Sequence, residues 1–277
     1  VLIVNPASGR GHAKHANLVE HCRERGIQTV IRQPGDTIAA LARAAVEGGA
    51  EIIGMAGGDG SQAAVAAVAA EHDVPFVCVP AGTRNHFALA LGLDRRDLIG
   101  ALEAFVGGAE RRIDLARVND RVFVNNASMG LYGRIVQSPA YRDAKFRTAI
   151  GELPDLVGPS AERFDLRFTA PDGAAHSDAA LLLVSNDPYL VDLRPGRRTR
   201  DTRGTRGTRG TMDAGTLGVV YQPSGPPLQR VREWTTTAFR VESAKPVELG
   251  LDGEAVTMDP PLVFESLPSA LRVRVPR

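Results

Sequence analysis

Cysteine, net charge and long apolar runs are all scarce in this chain. Cys22 and Cys78 are the only cysteines in 277 residues, too few for a disulfide framework and in keeping with a reducing compartment. Cys78 lies in the apolar run Phe76-Val77-Cys78-Val79 and is expected to be a buried small hydrophobe. The formal net charge is +1, which argues against a wholesale nucleic-acid binder. No run of about 18 apolar residues is present, so any membrane contact is expected to be peripheral. Neither a G-x-x-x-x-G-K-[ST] phosphate loop nor the dinucleotide fingerprint occurs, since Gly9-x-Gly11 is followed at position 14 by Lys14. What is present is an ordinary globular composition over a length that one core seldom organises, so two domains are expected. The chain starts at Val1 already inside an apolar run, and residues upstream are expected.

Three glycine turns dominate the first half. Gly57-Gly58-Asp59-Gly60, with Ser61 behind it, follows the apolar run Ile52, Ile53, Met55, Ala56 and precedes an alanine-rich helix starting near Ser61. Glycines let a phosphate reach backbone N–H groups, and a helix amino terminus adds partial positive charge. Asp59 fits such a turn as a direct or water-mediated Mg²⁺ partner, or as the N-cap of an ordinary strand-to-helix turn. The tetrapeptide alone leaves both readings open. Asn5-Pro6-Ala7-Ser8-Gly9-Arg10-Gly11 follows the run Val1 to Val4 and leads into a helix from about His12 to Arg25. Pro80-Ala81-Gly82-Thr83-Arg84-Asn85 follows the run Val74 to Val79. There Gly82 admits a phosphate, the Thr83 hydroxyl can bond it, and Asn85 opens a helix.

Between these turns lie a strand over Ile27 to Ile31 and a helix capped by Asp36 or Thr37, with Ile38, Leu41, Ala42, Ala45 and Val46 as its apolar stripe. A further amphipathic helix is expected over Leu98 to Val106. Strand alternating with helix predicts a doubly wound parallel α/β sheet, and right-handed crossovers bring the three turns to one side. His12, His15, His21 and Cys22 share a helix face but have no second ligand cluster elsewhere, so they read as a solvated face rather than a metal site.

From Arg111 the pattern changes to short strands at hairpin spacing, which predicts an antiparallel β-sandwich. The expected strands are Ile113 to Val118, Arg121 to Asn125, Phe164 to Thr169, Ala179 to Val184, Leu217 to Tyr221, Thr235 to Val241, Val247 to Leu251, Ala255 to Met258 and Leu271 to Val275. A helical interruption is expected between Tyr141 and Leu153. Arg194 to Gly210 carries seven arginines against Asp201 and no apolar residue beyond Pro195. It reads as a mobile basic loop, either a solvated insertion or a contact for anionic lipid headgroups. Leu251-Asp252-Gly253-Glu254 is either a plain hairpin turn or an acid pair able to activate a hydroxyl.

These pieces resemble the diacylglycerol kinase catalytic family, which includes bacterial lipid kinases and sphingosine kinases. The residues that carry the resemblance are Asn5-Pro6-x-Ser8-Gly9, Gly57-Gly58-Asp59-Gly60-Ser61, Pro80-x-Gly82-Thr83-x-Asn85 and Asp252-Gly253-Glu254. The resemblance implies an α/β nucleotide-binding domain over residues 1–113 and a β-sandwich lipid-substrate domain over 114–277, with the active site in the cleft between. It implies ATP held by Asn5, Pro6, Ser8, Gly9, Gly57, Gly58, Gly60, Ser61, Gln62, Gly82, Thr83 and Asn85. Glu254 or Asp252 would be the base, and Asp59 and Asp114 would organise Mg²⁺ through water. Asp213 would mark a structural Mg²⁺ in the sandwich. Two departures stand out: His86 where the family commonly has Asp, and Ile31 and Arg32 where many members place a threonine.

The implied activity is transfer of the ATP γ-phosphoryl group to diacylglycerol or a related lipid. NAD kinase and a catalytically silent nucleotide- or lipid-binding module are the alternatives. The expected partners are a lipid at a membrane surface and no nucleic acid, with the Arg194 to Gly210 loop as a peripheral membrane contact. A homo-oligomer is admitted. The expected location is cytoplasmic, at the inner face of the membrane.

Overall fold

The computed structural model describes residues 1–9, 12–131, 133, 164–188, 212–224 and 231–277. The expected helix between Tyr141 and Leu153 and the Arg194 to Gly210 loop lie outside the described residues, as do Arg10 and Gly11. The first half alternates as its periodicity predicts: β1 (Leu2–Val4), α1 (His12–Glu24), β2 (Thr29–Ile31), α2 (Ile38–Glu47), β3 (Ile53–Gly57), α3 (Asp59–Glu71), β4 (Phe76–Pro80) and α4 (His86–Ala90). The strands β1, β3 and β4 are fully buried and apolar, as strands covered on both faces must be. The apolar stripe of α2 starts behind Thr37, whose side chain accepts from the Ala40 N–H.

The single helix expected over Leu98 to Val106 is instead two short ones, α5 (Leu98–Ala101) and α6 (Glu103–Gly107). The break falls at Leu102, which closes α5 and opens α6, while the Gly100 N–H bond to the Asp97 side chain is the N-cap that starts α5. The expected solvated face of α1 is also corrected in part. His21 is exposed beside Glu24, but Cys22 is buried with Leu18 against the sheet.

The second half supplies β5 (Ala109–Val118), β6 (Arg121–Phe123), β7 (Asn126–Gly130), β8 (Phe168–Thr169), β9 (Ala175–His176), β10 (Ala179–Asn186), β11 (Leu217–Pro223), β12 (Arg232–Thr236), β13 (Ala238–Val241), β14 (Val247–Leu251), β15 (Glu254–Met258) and β16 (Leu262–Val275). One sheet runs β2-β1-β3-β4-β16-β5-β6, with β13 also paired to β16; a second, antiparallel sheet runs β12-β11-β10-β7-β14-β15. The first four strands are mutually parallel, β16 is parallel to β4, and β16 is antiparallel to β5 and β13. The molecule is thus a mixed, mostly parallel α/β sheet joined to an antiparallel one.

Helices cover both faces of the parallel strands. Ile3, Met55, Phe76 and Cys78 pack under α2, α3 and α4, while Leu2, Val4, Val77 and Val79 pack under α1, α5 and α6. Each fully buried Leu or Phe here contributes about 1.5–3 kcal/mol. The third core lies between the six-stranded sheet and the β13-β16-β5-β6 end of the first sheet, and includes Phe123, Met129, Val184, Tyr221, Leu249 and Phe264. The sandwich therefore takes its second layer from the far end of the first sheet.

Two strands make this possible. In β16, Leu262 and Phe264 serve the sandwich core, while Leu267 and, beyond a bulge at 268–270, Leu271 and Val273 serve the α/β core. In β5 the same change occurs between Leu115 and Ala116. The division expected after residue 113 consequently falls inside β5. The single strand expected over Thr235 to Val241 is likewise two strands in different sheets, parted at Thr237, whose carbonyl accepts from the Ser266 N–H.

Candidate active site

After β1 the chain moves outward to β2, and after β3 it moves the other way to β4. The carboxyl ends of β1 and β3 thus flank a switch point, where open α/β sheets bind ligands. All three glycine turns meet there. The Gly58 N–H donates to Ser8 Oγ at 3.4 Å. A Cβ on Gly9 would lie 2.5 Å from the Ala81 carbonyl oxygen, and one on Gly82 would lie 2.4 Å from the Gly58 Cα. Only glycine permits these approaches.

Buried side-chain amides fasten the turns. Asn5 Nδ2 donates to Ser61 Oγ at 3.2 Å, and its Oδ1 accepts the Ala7 N–H. Gln62 Nε2 reaches the carbonyls of Met55, Gly57 and Val79. Asn85 Oδ1 accepts the Gly82 N–H at 2.8 Å, while Nδ2 donates to Pro80, Gly82 and Arg95 carbonyls. Asn5, Ser61, Gln62 and Asn85 are all buried; Gln62 and Asn85 bond to the protein's own backbone, and Asn5 joins the Ser61 side chain to the Ala7 amide. Thr83 is exposed at the rim and Pro6 is half-buried.

Asp59 begins α3, whose N-cap Gly58 brings no side chain to the first-turn amides. Its carboxylate instead crosses to the next helix, where Oδ2 accepts the His86 N–H at 3.1 Å and Oδ1 accepts the Phe87 N–H at 2.9 Å. Asn85 does stand at the N-cap of α4, with φ 52°, yet Asp59 supplies the cap bonds. The capping reading of Asp59 thus holds for a different helix from the one its sequence position suggested.

Asp114 is 1% exposed at the β16 bulge, where its Oδ2 accepts the Gly215 N–H at 2.6 Å and its Oδ1 the Ser269 N–H at 2.7 Å. Asp213 is exposed between Met212, whose carbonyl accepts the Asp114 N–H, and Gly215. Among the described residues no three His, Cys, Asp or Glu side chains converge. Asp59 and Asp114 each retain acceptor capacity, since every one of their carboxylate oxygens holds one amide. They fit an ion approached through water, not one chelated directly.

The acid turn connects β14 to β15 and folds onto this edge. A Cβ on Gly60 would lie 2.2 Å from Glu254 Oε1 and 2.4 Å from its Cδ, so the Glu254 carboxylate rests on the first turn of α3. Asp252 is the anchor of the hairpin. Its Oδ2 accepts the Val124 N–H at 2.9 Å, and its Oδ1 those of Asn125 and Asn126 at 2.7 and 3.1 Å. Burial pushes the Asp252 carboxyl up to about 7; the charge of Asp59 adds to the rise and the three amides oppose it. The charge of Asp59, 193 positions away in the chain, therefore reaches Asp252.

The glycine turns, Asp59, Asp252 and Glu254 are brought together, whereas Asp114 and Asp213 form a separate knot. Asn186 ties the two, with its Nδ2 on the Asp114 carbonyl and its N–H on the Asn125 carbonyl. The segment Val124 to Asn126 escaped sequence reasoning because it works through backbone amides, which leave no mark on residue identity.

Known proteins fit this geometry. A family model described as the diacylglycerol kinase catalytic domain matches residues 1–118. A diacylglycerol kinase of Bacillus subtilis is 33% identical over 55% of this chain and 51% of its own length. One from Mycobacterium tuberculosis is 34% identical over 43% of this chain and 40% of its own. The chain thus spans about half or less of these relatives. A protein of Stenotrophomonas maltophilia described as a probable YegS-like lipid kinase is 28% identical over 99% of this chain and 95% of its own. In fold, a diacylglycerol kinase crystal structure from Bacillus anthracis superposes with TM-score 0.66 at 17% identity, over 99% of this chain and 95% of that one. A second crystal structure from that organism reaches 0.73 at 20%, over 99% and 96%.

Proposed function

Because residues 1–118 belong to the diacylglycerol kinase catalytic domain family, we propose that this chain transfers the γ-phosphoryl group of ATP to a hydroxyl of a lipid, with diacylglycerol the first acceptor to test. The observation that carries the reading is the contact of Glu254 with Gly60. It sets a carboxylate beside the helix end best suited to hold phosphates.

In the proposed reaction, backbone N–H groups of the α3 first turn receive the nucleotide phosphates. Glu254 accepts the proton of the lipid hydroxyl late in an in-line displacement. The hydroxyl O–H bond breaks toward Glu254, the new O–P bond forms, and the bridging Pγ–O bond breaks with its electrons leaving on ADP. Mg²⁺, held through water by Asp59, would offset phosphate charge there. Asp252, enclosed by three amides, acts by holding the hairpin and not by taking the proton. His86 at the head of α4 lends its N–H to Asp59, which supports a role in fixing that carboxylate.

The direct test follows label from γ-³²P-ATP into diacylglycerol in mixed micelles, with NAD as a parallel acceptor. Glu254→Gln should lower lipid phosphorylation roughly 10²- to 10⁴-fold, while calorimetry shows ATP binding retained. Wild-type turnover in this variant would overturn the assignment, and label in NAD instead of lipid would redirect it.

A further inference from the structure

Between β6 and β7 the chain bends at Val124 and Asn125. In an extended strand successive carbonyls point to opposite sides, but at this bend two in a row turn to one residue. Asn186, at the end of β10, receives both: its N–H donates to the Asn125 carbonyl at 3.0 Å, and its Nδ2 to the Val124 carbonyl at 3.5 Å. The other ends of the same two peptide groups are the N–H of Asn125 and the N–H of Asn126. Both donate to Asp252 Oδ1, at 2.7 and 3.1 Å. Two consecutive peptide groups are thus clamped between Asn186 on one side and Asp252 on the other.

The clamp is buried, with Asn186 0% and Asn125 2% exposed. Buried backbone groups must be paired, and a bend cannot pair them within a sheet ladder. A donor on a peptide carbonyl also polarises that peptide and strengthens what its N–H donates. The second hydrogen of Asn186 Nδ2 goes to the Asp114 carbonyl at 2.9 Å, which fixes the asparagine to β5. On the far side, the Asp252 N–H returns to the Asn126 carbonyl at 2.9 Å, two residues before Glu254. The path from Asn186 to the carboxylate on Gly60 is therefore continuous.

We propose that Asn186 is a positioning residue: by holding two successive carbonyls it aims their amides at Asp252 and so sets the hairpin that presents Glu254. Its effect on turnover rests on the lipid-kinase reading, whereas its effect on Asp252 does not. Among the described residues, the other acids around this joint are Asp59 on α3, Glu254 on the hairpin itself, Asp114 on β5 and Asp187, which is 0% exposed and follows Asn186 directly. Of these, Asp59 is the one whose charge raises Asp252. Asp187 accepts at its backbone carbonyl from Ser185 Oγ at 2.7 Å, so a control at Ser185 disturbs Asp187 without touching the clamp.

The test is a ¹³C NMR titration of the Asp252 carboxyl in the full chain, beside steady-state kinetics with ATP and diacylglycerol. Hydrogen bonds to a carboxylate favour its charged form, so weakening them in Asn186→Ala should raise the Asp252 midpoint by roughly half a unit. The same variant should lower kcat about 10- to 100-fold with KM for ATP nearly unchanged. Ser185→Ala removes a buried hydroxyl one residue away. It should lower thermal stability yet leave the Asp252 midpoint and kcat as they are. An unmoved midpoint in Asn186→Ala, or equal shifts in the two variants, would overturn the proposal. The wild type gives an answer that does not depend on Asn186→Ala folding. Its Asn186 backbone and side-chain amide resonances should titrate with the Asp252 midpoint and cease to do so in Asp252→Asn; resonances that stay flat would refute the clamp. Titrating amides in a wild type that phosphorylates no lipid would end the kinase reading and still support Asn186 as the residue that sets the hairpin.

Discussion

The glycine edge of the first sheet and the β14–β15 hairpin face each other and are built on opposite plans. At the glycine edge the functional groups offered to a ligand are backbone amides, and side chains such as Asn85 and Gln62 hold them. At the hairpin the functional groups are side chains, and backbone amides hold them, three on Asp252 alone. The first plan tolerates no added atom where turn meets turn. The second depends on the path of the chain at Val124 to Asn126, which brings the three amides to Asp252.

Substituting the glycines separates the two plans most sharply. Gly82→Ala places a Cβ 2.4 Å from the Gly58 Cα, a backbone atom that can yield only if two turns move apart. The expected loss is about 3 kcal/mol, read by urea denaturation, with loss of ATP binding. Gly60→Ala meets only the flexible Glu254 side chain. It should fold normally and bind ATP, yet lower kcat by about 10- to 100-fold as the carboxylate swings away. If Gly60→Ala instead lost ATP affinity with kcat intact, the division of labour between edge and hairpin would fail.

The hairpin anchor makes a pH-dependent prediction. Asp252 is an acid whose folded value, about 7, lies above its ordinary value of 3.8. Across that window the folded protein keeps a proton that the unfolded chain releases, so stability falls as pH rises from about 4 to 7 and levels off above. Asp252→Asn should flatten this slope in thermal melts taken across the window, and an unchanged slope would mean that another group carries it. The smallest effect is expected far from both plans. Arg112→Ala removes an exposed pair with Asp73 and should change stability by less than about 1 kcal/mol in the same melts.

The two plans were not equally legible. The glycine turns, their strands and the capped start of α2 are local features, and periodicity exposes them within windows of ten or so residues. The acid hairpin was visible as Asp252-Gly253-Glu254, but its anchor was not. Val124 and Asn125 form the tail of the strand expected over Arg121 to Asn125, and prove to be the joint between β6 and β7. Asp59 shows the same limit: its type suggested a cap or an ion partner, and only the fold revealed that it caps α4 across a gap of 27 residues. Thr235 to Val241 looked like one strand because alternation says nothing about which sheet a residue joins.

By itself the sequence determined the order of strands and helices in the α/β half and the glycine turns between them, because both follow from neighbouring residues and backbone sterics. It also determined that a pair of carboxylates would sit on a tight turn. Tertiary structure alone decided that β16 returns to pair with β4 and β5, that one sheet serves two cores, and that Glu254 comes to rest on Gly60. Those outcomes depend on contacts between segments up to about 200 residues apart. Such contacts are selected by the joint packing of two sheets, and no short window of residues encodes that packing.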